Sequence, residues 1–133
     1  MPRKTLTVVL MDAPYESSST TTAFRLIDAA LRARHHVNVF AYEGAVSLSL
    51  ADQAPHPDPV KGTSVAQEAH PTTKDWVAEL HRAYPGQVDW VNCGLCVDER
   101  GATNCIEGPR RGGPKDLAEW VIAGDQTLVI ATT

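Results

Sequence analysis

The sequence predicts a single α/β domain of three layers, in which a mostly parallel sheet of about five strands is flanked by helices on both faces. Short apolar, β-branched segments alternate along the chain with segments whose apolar residues recur at helical spacing. That order is typical of parallel strands joined by crossover helices. A chain of 133 residues with 43% hydrophobic content can bury one core without disulfides or metal ions.

The first part of the chain predicts a strand, a helix and a second strand. Residues 6–11 are a short apolar run that ends just before Pro14, which prevents easy continuation of the strand. Apolar residues at helical spacing predict a helix over about residues 20–34, and residues 37–42 form the second apolar run. Because such units close with a right-handed crossover, we expect a βαβ unit here.

A Pro-rich segment follows in which the periodicity is lost. No confident element is predicted between Gly44 and Thr72, and we interpret residues 47–72 as an insert within one domain that spans residues 1–133. Within it, residues 63–69 could form a short helix. A loop of this length is either a lid, a subunit contact or a mobile segment, or else a plain surface excursion, and the sequence leaves these alternatives open.

The rest of the chain continues the alternation of helices and strands. The helix after the insert begins at residues 72–75, which resemble a capping box, and Pro114 after two glycines marks the start of the last helix. The predicted elements are, in order, a helix to about residue 84, a strand at 88–92, a short helix at 94–100, an edge strand at 106–109, a helix from Pro114 to Gly124 and a strand at 127–131.

Charge and hydropathy exclude several classes of partner. A net charge of −4 and a pI near 5.7 provide no clustered basic face for direct nucleic-acid binding. The apolar run at residues 6–11 is too short for a signal peptide or a membrane span, so we expect a cytoplasmic protein. Three cysteines, an odd number, indicate free thiols, a redox pair or a metal site rather than a disulfide framework.

Cys93 is the first candidate for a catalytic residue. It follows the apolar strand at 88–92 and precedes a predicted helix. Ligands and chemistry collect at the carboxyl ends of strands in open α/β sheets, and a helix start favours the thiolate that makes a cysteine nucleophilic. The alternative is that Cys93 is a small buried hydrophobic residue, which is what most free cysteines are.

Cys96 completes a Cys-Gly-Leu-Cys motif and is the second candidate. The spacing brings two sulfurs within one helical turn, near enough for a disulfide or a shared metal. For zinc, Cys105 and either His70 or His81 would have to join, but the paired-ligand spacing of ribbons and fingers is absent. We therefore predict no metal site, and Cys105 is either a resolving thiol or a bystander.

Two other classes of function stay open. The hydroxyl-rich segment 12–22 resembles the phosphate loop of flavodoxin-like domains, which allows a flavin or nucleotide, although Ser and Thr are also good helix caps and no aromatic residues stand at a recognisable spacing for a flavin ring. We predict no cofactor. A non-catalytic oligomeric adaptor would use the insert and Trp76, Trp90 or Trp120 for its contacts.

The segment from Cys93 to Gly101 resembles the DsrE/DsrF-like sulfur-relay family, many of whose members carry Cys, two spacers, Cys, three spacers and Arg-Gly. Here the match is Cys93-Gly-Leu-Cys96-Val-Asp-Glu-Arg100-Gly101. The similarity extends to the first βαβ unit, to Gly44-Ala-Val46 and to residues 113–120, and it covers most of the chain except residues 47–72, which match no pattern of the family.

The resemblance implies a sulfur carrier or sulfurtransferase that accepts sulfane sulfur on a cysteine as a persulfide and passes it to a partner protein. In relay members the sulfur-carrying cysteine stands seven residues before the Arg of Arg-Gly, and Cys93 has that position here. Members with two cysteines share the work, which adds Cys96. The resemblance also implies sulfur donor and acceptor proteins as partners, and a homo-oligomer or mixed ring.

Overall fold

Five parallel strands form one sheet in the computed structural model, which describes residues 2–57, 59–67 and 72–132. The strand order is β4-β3-β2-β1-β5. The strands are β1 Thr5–Leu10, β2 His36–Ala41, β3 Val88–Cys93, β4 Arg110–Gly112 and β5 Gln126–Ile130, and the helices are α1 Ser19–Arg32, α2 Thr73–Ala83, α3 Gly94–Arg100 and α4 Pro114–Ala123. This confirms the predicted α/β class with about five strands, and the sheet is parallel throughout.

The larger core lies between the sheet and helices α1 and α2. Alternate residues of the central strands point to this side because side chains in a strand alternate between its two faces. Trp90 of β3 is fully buried here and stacks on Phe24 of α1, with ring centroids 6.0 Å apart. Phe24 stacks in turn on Trp76 of α2 at 4.7 Å. These rings join the two helices to the sheet.

The opposite face of the sheet is covered by α3 and α4. Val9, Phe40 and Val91 from the strands pack there with Cys96 and Val97 of α3. Helix α4 is packed more loosely, since none of its residues is buried. Helices therefore cover both faces, as predicted, but β5 at the sheet edge stays largely exposed.

A 3-10 helix at Glu43–Ser49 lies in a region for which the sequence predicted no element. Its Ala45, Val46 and Leu48 are fully buried, so the chain after β2, including the start of the predicted insert, is part of the core. The sequence allowed a short helix at residues 63–69; residues 65–67 form a turn, and Glu68 and Ala69 lie outside the described residues.

The predicted edge strand at residues 106–109 is wrong, because β4 comes later, at Arg110–Gly112. The earlier segment pairs with the chain after the 3-10 helix instead. Cys105 forms an antiparallel bridge with Leu50, and the Ile106 N–H donates to the Ser49 carbonyl at 2.9 Å. That backbone pairing removes residues 105–106 from the sheet, and the chain joins β3 only afterwards.

No helix in the described part of the chain has the length and apolar character needed to cross a membrane.

Candidate functional site

The candidate site lies at the carboxyl end of β3. Cys93 is the last residue of the strand, and α3 begins at the next residue, Gly94. The helix ends at Gly101, whose φ of 61° is in the left-handed region that favours glycine. The strand, the helix start and the Arg-Gly end therefore lie where the sequence predicted them, and they bring Cys93 and Cys96 together.

Cys93 is buried, with 4% of its surface exposed. It packs in the apolar cluster beneath α3, together with Val91 and Phe40. The Arg111 guanidinium lies against the adjacent Gly94, because a Cβ there would stand 2.8 Å from Arg111 Nε. The pKa of Arg111 is raised, mainly by its ion pair with Asp98 and in smaller part by the charge of Cys93. A fixed cation thus lies close to the first thiol.

Cys96 is also buried, with 5% exposed, and its sulfur has a backbone partner. The Glu43 N–H donates to Cys96 Sγ at 3.2 Å. Burial is the largest effect on the Cys96 thiol, and it raises the pKa above its ordinary value. The Cys93 side chain raises this pKa further. The Glu43 N–H and the charge of Arg100 both lower it, but the net shift is upward. Cys96 is therefore a protonated thiol at neutral pH, and it packs in the same apolar cluster as Cys93.

A cleft of about 360 Å³ lies in front of Cys96 at the carboxyl edge of the sheet. It is lined by the loops that follow β1, β2 and β5, and by the end of α3: Met11, Asp12, Ala13, Glu16, Glu43, Gly44, Arg100 and Thr132. Glu43, whose N–H holds Cys96, belongs to this lining and has a φ of 51°, unusual for a residue with a side chain. The loops after β1, β2 and β5 thus meet at this cleft, and neither Cys93 nor Cys96 is among its lining residues.

Cys105 lies apart from this pair. Its sulfur donates to the Ala102 carbonyl at 3.4 Å and accepts from Asn92 Nδ2 at 3.5 Å. It lines a different cavity of about 360 Å³, which Arg110 and Arg111 also line. The contacts of Cys105 therefore do not include either of the other two sulfurs.

In the part of the chain that the structure describes, no group of three or more His, Cys, Asp or Glu side chains is placed to hold a metal ion. His81, one of the zinc ligands that we weighed, bonds through Nδ1 to the Val77 carbonyl of its own helix at 2.9 Å, and its ring lies under Gly108. His70 lies outside the described residues.

Sequence reasoning missed two groups at this site, Arg111 and the backbone N–H of Glu43. Arg111 makes a two-pronged ion pair with Asp98 of α3, at 2.8 and 2.6 Å. Neither group has a local signal, because the first depends on β4 pairing beside β3 and the second on a turn after β2.

These features define an α/β domain with two adjoining thiols at the carboxyl end of a parallel sheet. The chain belongs to the DsrE/DsrF-like family, whose model matches residues 4–130 and whose members are in general related to sulfur relay.

Among solved structures, the chain is similar to the ychN protein from E. coli, with 25% sequence identity and a TM-score of 0.68. The match covers 95% of this chain and 98% of that one. No curated protein matches.

Proposed function

We propose that this protein is a sulfur carrier that accepts sulfane sulfur on Cys93 as a persulfide and passes it to a partner protein. The observation that supports this most is the burial of the Cys93 and Cys96 thiols in one cluster, behind a cleft built from the strand-end loops. Membership of a family related to sulfur relay supports the same chemistry. The partners are then a protein that donates sulfane sulfur and a protein that accepts it, and the three free thiols suit a cytoplasmic setting.

The first transfer is a thiol exchange at sulfur. The Cys93 thiolate attacks the outer sulfur of a donor persulfide, the sulfur–sulfur bond of the donor breaks, and the donor leaves as a thiolate. Cys93 then carries the additional sulfur. An acceptor thiolate attacks that terminal sulfur, and Cys93 leaves as a thiolate ready for the next cycle. Each step exchanges one sulfur–sulfur bond for another, so no external oxidant or reductant is needed.

The environment of the two thiols supports Cys93 as the nucleophile. Cys96 stays protonated at neutral pH because burial raises its pKa, so its S–H can donate to the Cys93 sulfur. The nearby Arg111 guanidinium adds a positive charge on the side of Gly94. Cys96 has a second use: as a thiolate it can attack the inner sulfur of the Cys93 persulfide, which forms a Cys93–Cys96 disulfide and releases hydrosulfide.

Burial of both sulfurs requires that the cleft wall open for transfer. The wall in front of Cys96 is the turn at Glu43 and Gly44, and Gly44 lies so close to Ala13 that a Cβ would stand 2.9 Å from the Ala13 nitrogen. The loops after β1 and β2 are therefore in close contact, and displacement of this pair by a partner protein would expose the thiols.

The test is intact mass before and after exposure to a sulfane donor, with the modified residue mapped by peptide mass spectrometry. We expect wild-type protein to gain one sulfur on Cys93, and Cys93→Ser to gain none at that position, because a hydroxyl does not form a persulfide. Cys96→Ser should still load and should hold its sulfur longer, because the resolving thiol is gone.

Cys105→Ser is the matched control for this experiment, since its sulfur does not contact the pair. It should load as wild type does. Absence of any mass gain in wild type, or an undiminished gain in Cys93→Ser, would rule out the proposed carrier.

A homo-oligomer is the second part of the proposal, and exposed apolar side chains on α4 and on the same face of β5 support it. Ile122 is 85% exposed, Val129 55% and Val121 47%. Strand β5 pairs only with β1, so its outer edge is unpaired within the described chain. Apolar side chains next to an open strand edge are typical of a protein–protein contact.

Ile122→Glu should convert the oligomer to a monomer of 14.4 kDa, because the carboxylate would be buried without a partner in the interface. Light scattering after size exclusion measures this mass. Leu26→Glu on α1 is the control, as it places the same charge at another exposed apolar residue, on the opposite side of the sheet. A wild-type mass of one chain, or dissociation by both variants, would contradict the proposal.

A further inference from the structure

Another cavity, of about 350 Å³, lies between the first turns of α1 and α2. Three aromatic rings line it, those of Tyr15, Phe24 and Trp76, and the remaining lining is hydroxyl-bearing. The lining residues include no cysteine and no charged side chain, and none of them lines the cleft in front of Cys96. The cavity is therefore a chemically different site from that of the thiols.

The aromatic part of this cavity is held rigidly. Trp76 stacks on Phe24 at 4.7 Å with the ring planes 12° apart, and Phe24 stacks in turn on the buried Trp90. Tyr15 is 66% exposed and adds an accessible ring to the same lining. A fixed aromatic wall with a second ring beside it favours a flat ligand that can stack.

The polar part of the cavity contains a hydroxyl without a partner. Thr20 is only 8% exposed, and its side chain makes no hydrogen bond within the described chain. Two of the neighbouring hydroxyls are occupied: Ser17 donates to Asp12 at 2.5 Å, and Thr73 donates to the Leu48 carbonyl at 2.9 Å. The Thr20 hydroxyl has no protein partner but is still reached by solvent, so a ligand that offers a hydrogen-bonding group can take the place of water at this oxygen.

We propose that this cavity binds an uncharged heteroaromatic molecule of the nucleobase or nucleoside class. The stacked rings select a flat ligand, the free Thr20 hydroxyl selects ring nitrogen or oxygen atoms, and the absence of lining charges disfavours a bare anion. Binding at this cavity would be a separate property of the protein, since neither a sulfur carrier nor an oligomeric adaptor requires it.

The test is titration of the full chain with adenosine and with uridine, followed by two-dimensional amide and indole NMR. We expect saturable shifts of the Trp76 indole N–H and of amides at the start of α1, and none with ribose, which lacks the ring. Thr20→Val removes the hydroxyl at nearly constant volume and should weaken the dissociation constant roughly fivefold.

Thr22→Val is the matched control, because this residue is exposed on the same helix and does not line the cavity. It should leave the affinity unchanged. The proposal is wrong if neither nucleoside produces saturable shifts up to about 10 mM, if ribose does so equally well, or if Thr20→Val and Thr22→Val behave alike.

Discussion

Replacement of Trp90 by Ala should lower the free energy of unfolding by about 3–5 kcal/mol, a large share of the total for a domain of this size. The indole is fully buried, stacks on Phe24 and donates through Nε1 to Asn92 Oδ1 at 3.1 Å. Removal of the indole leaves a cavity in the middle of the core between β3 and α1. It also leaves Asn92 Oδ1 without a hydrogen-bond donor. Urea denaturation followed by circular dichroism measures the change.

Two matched variants separate the contributions to this loss. Trp90→Phe retains an apolar ring but not the N–H, so it should lose about 1–3 kcal/mol for the unsatisfied Asn92 oxygen. Trp120→Ala removes the same side chain from α4, where no residue is buried, and should lose much less. Equal losses for the two Trp→Ala variants would contradict the assignment of Trp90 to the main core.

The same hydrogen-bond network connects the core to the thiols. Asn92 accepts from Trp90, donates to Ser49 at 3.1 Å and donates to Cys105 at 3.5 Å, and the next residue in the chain is Cys93. The end of β3 is therefore fixed on the side opposite to the Cys93 side chain. Trp90 thus helps to position Cys93 through the backbone of β3. Because Trp90 is buried in the core, it does not lie on a surface where it could contact a partner protein.

The layered architecture could be predicted because its signals are local. Apolar runs and helical spacing identified β1, α1, β2, α2 and β3 to within a few residues, and the strand end before a CxxC motif located the thiols. Strand β4 was misplaced because its residues are Arg-Arg-Gly, which have no apolar alternation. Charged edge strands protect a sheet from unwanted pairing, and their sequence does not resemble that of a core strand.

The remaining parts of the site depend on contacts between distant segments. The Glu43 N–H points at Cys96 because a residue with a side chain adopts a positive φ after β2, and no residue type signals that turn. The aromatic wall beside the hydroxyl-rich segment comes from Trp76 of another helix, so the sequence could not pair them. Burial of both thiols likewise follows from packing against α3 and the 3-10 helix, beyond what a motif specifies.

Alkylation of Cys96 by iodoacetamide should accelerate about 100-fold between pH 7 and pH 9, without a plateau in that range. The reason is the sign of its shift: burial raises the pKa of the thiol above the ordinary value, so the thiolate fraction still grows about tenfold per pH unit throughout. Cys96 in urea-unfolded protein is the reference, and its alkylation rate should begin to level off between pH 7 and pH 9. Peptide mass spectrometry counts Cys93 and Cys105 separately.

Substitutions around Cys96 should move this profile in opposite directions. Cys93 raises the pKa of Cys96 in two ways, through a side-chain hydrogen bond and through the charge of Cys93. Cys93→Ala removes both, so alkylation of Cys96 at neutral pH should become faster. Arg100→Gln removes a charge that lowers this pKa, so the rate should fall, by only two- to threefold because the Arg100 side chain is 38% exposed to solvent. Arg100→Lys keeps the charge and should restore the rate. A plateau near pH 8 in the folded protein, or a slower Cys93→Ala, would contradict the raised pKa of Cys96.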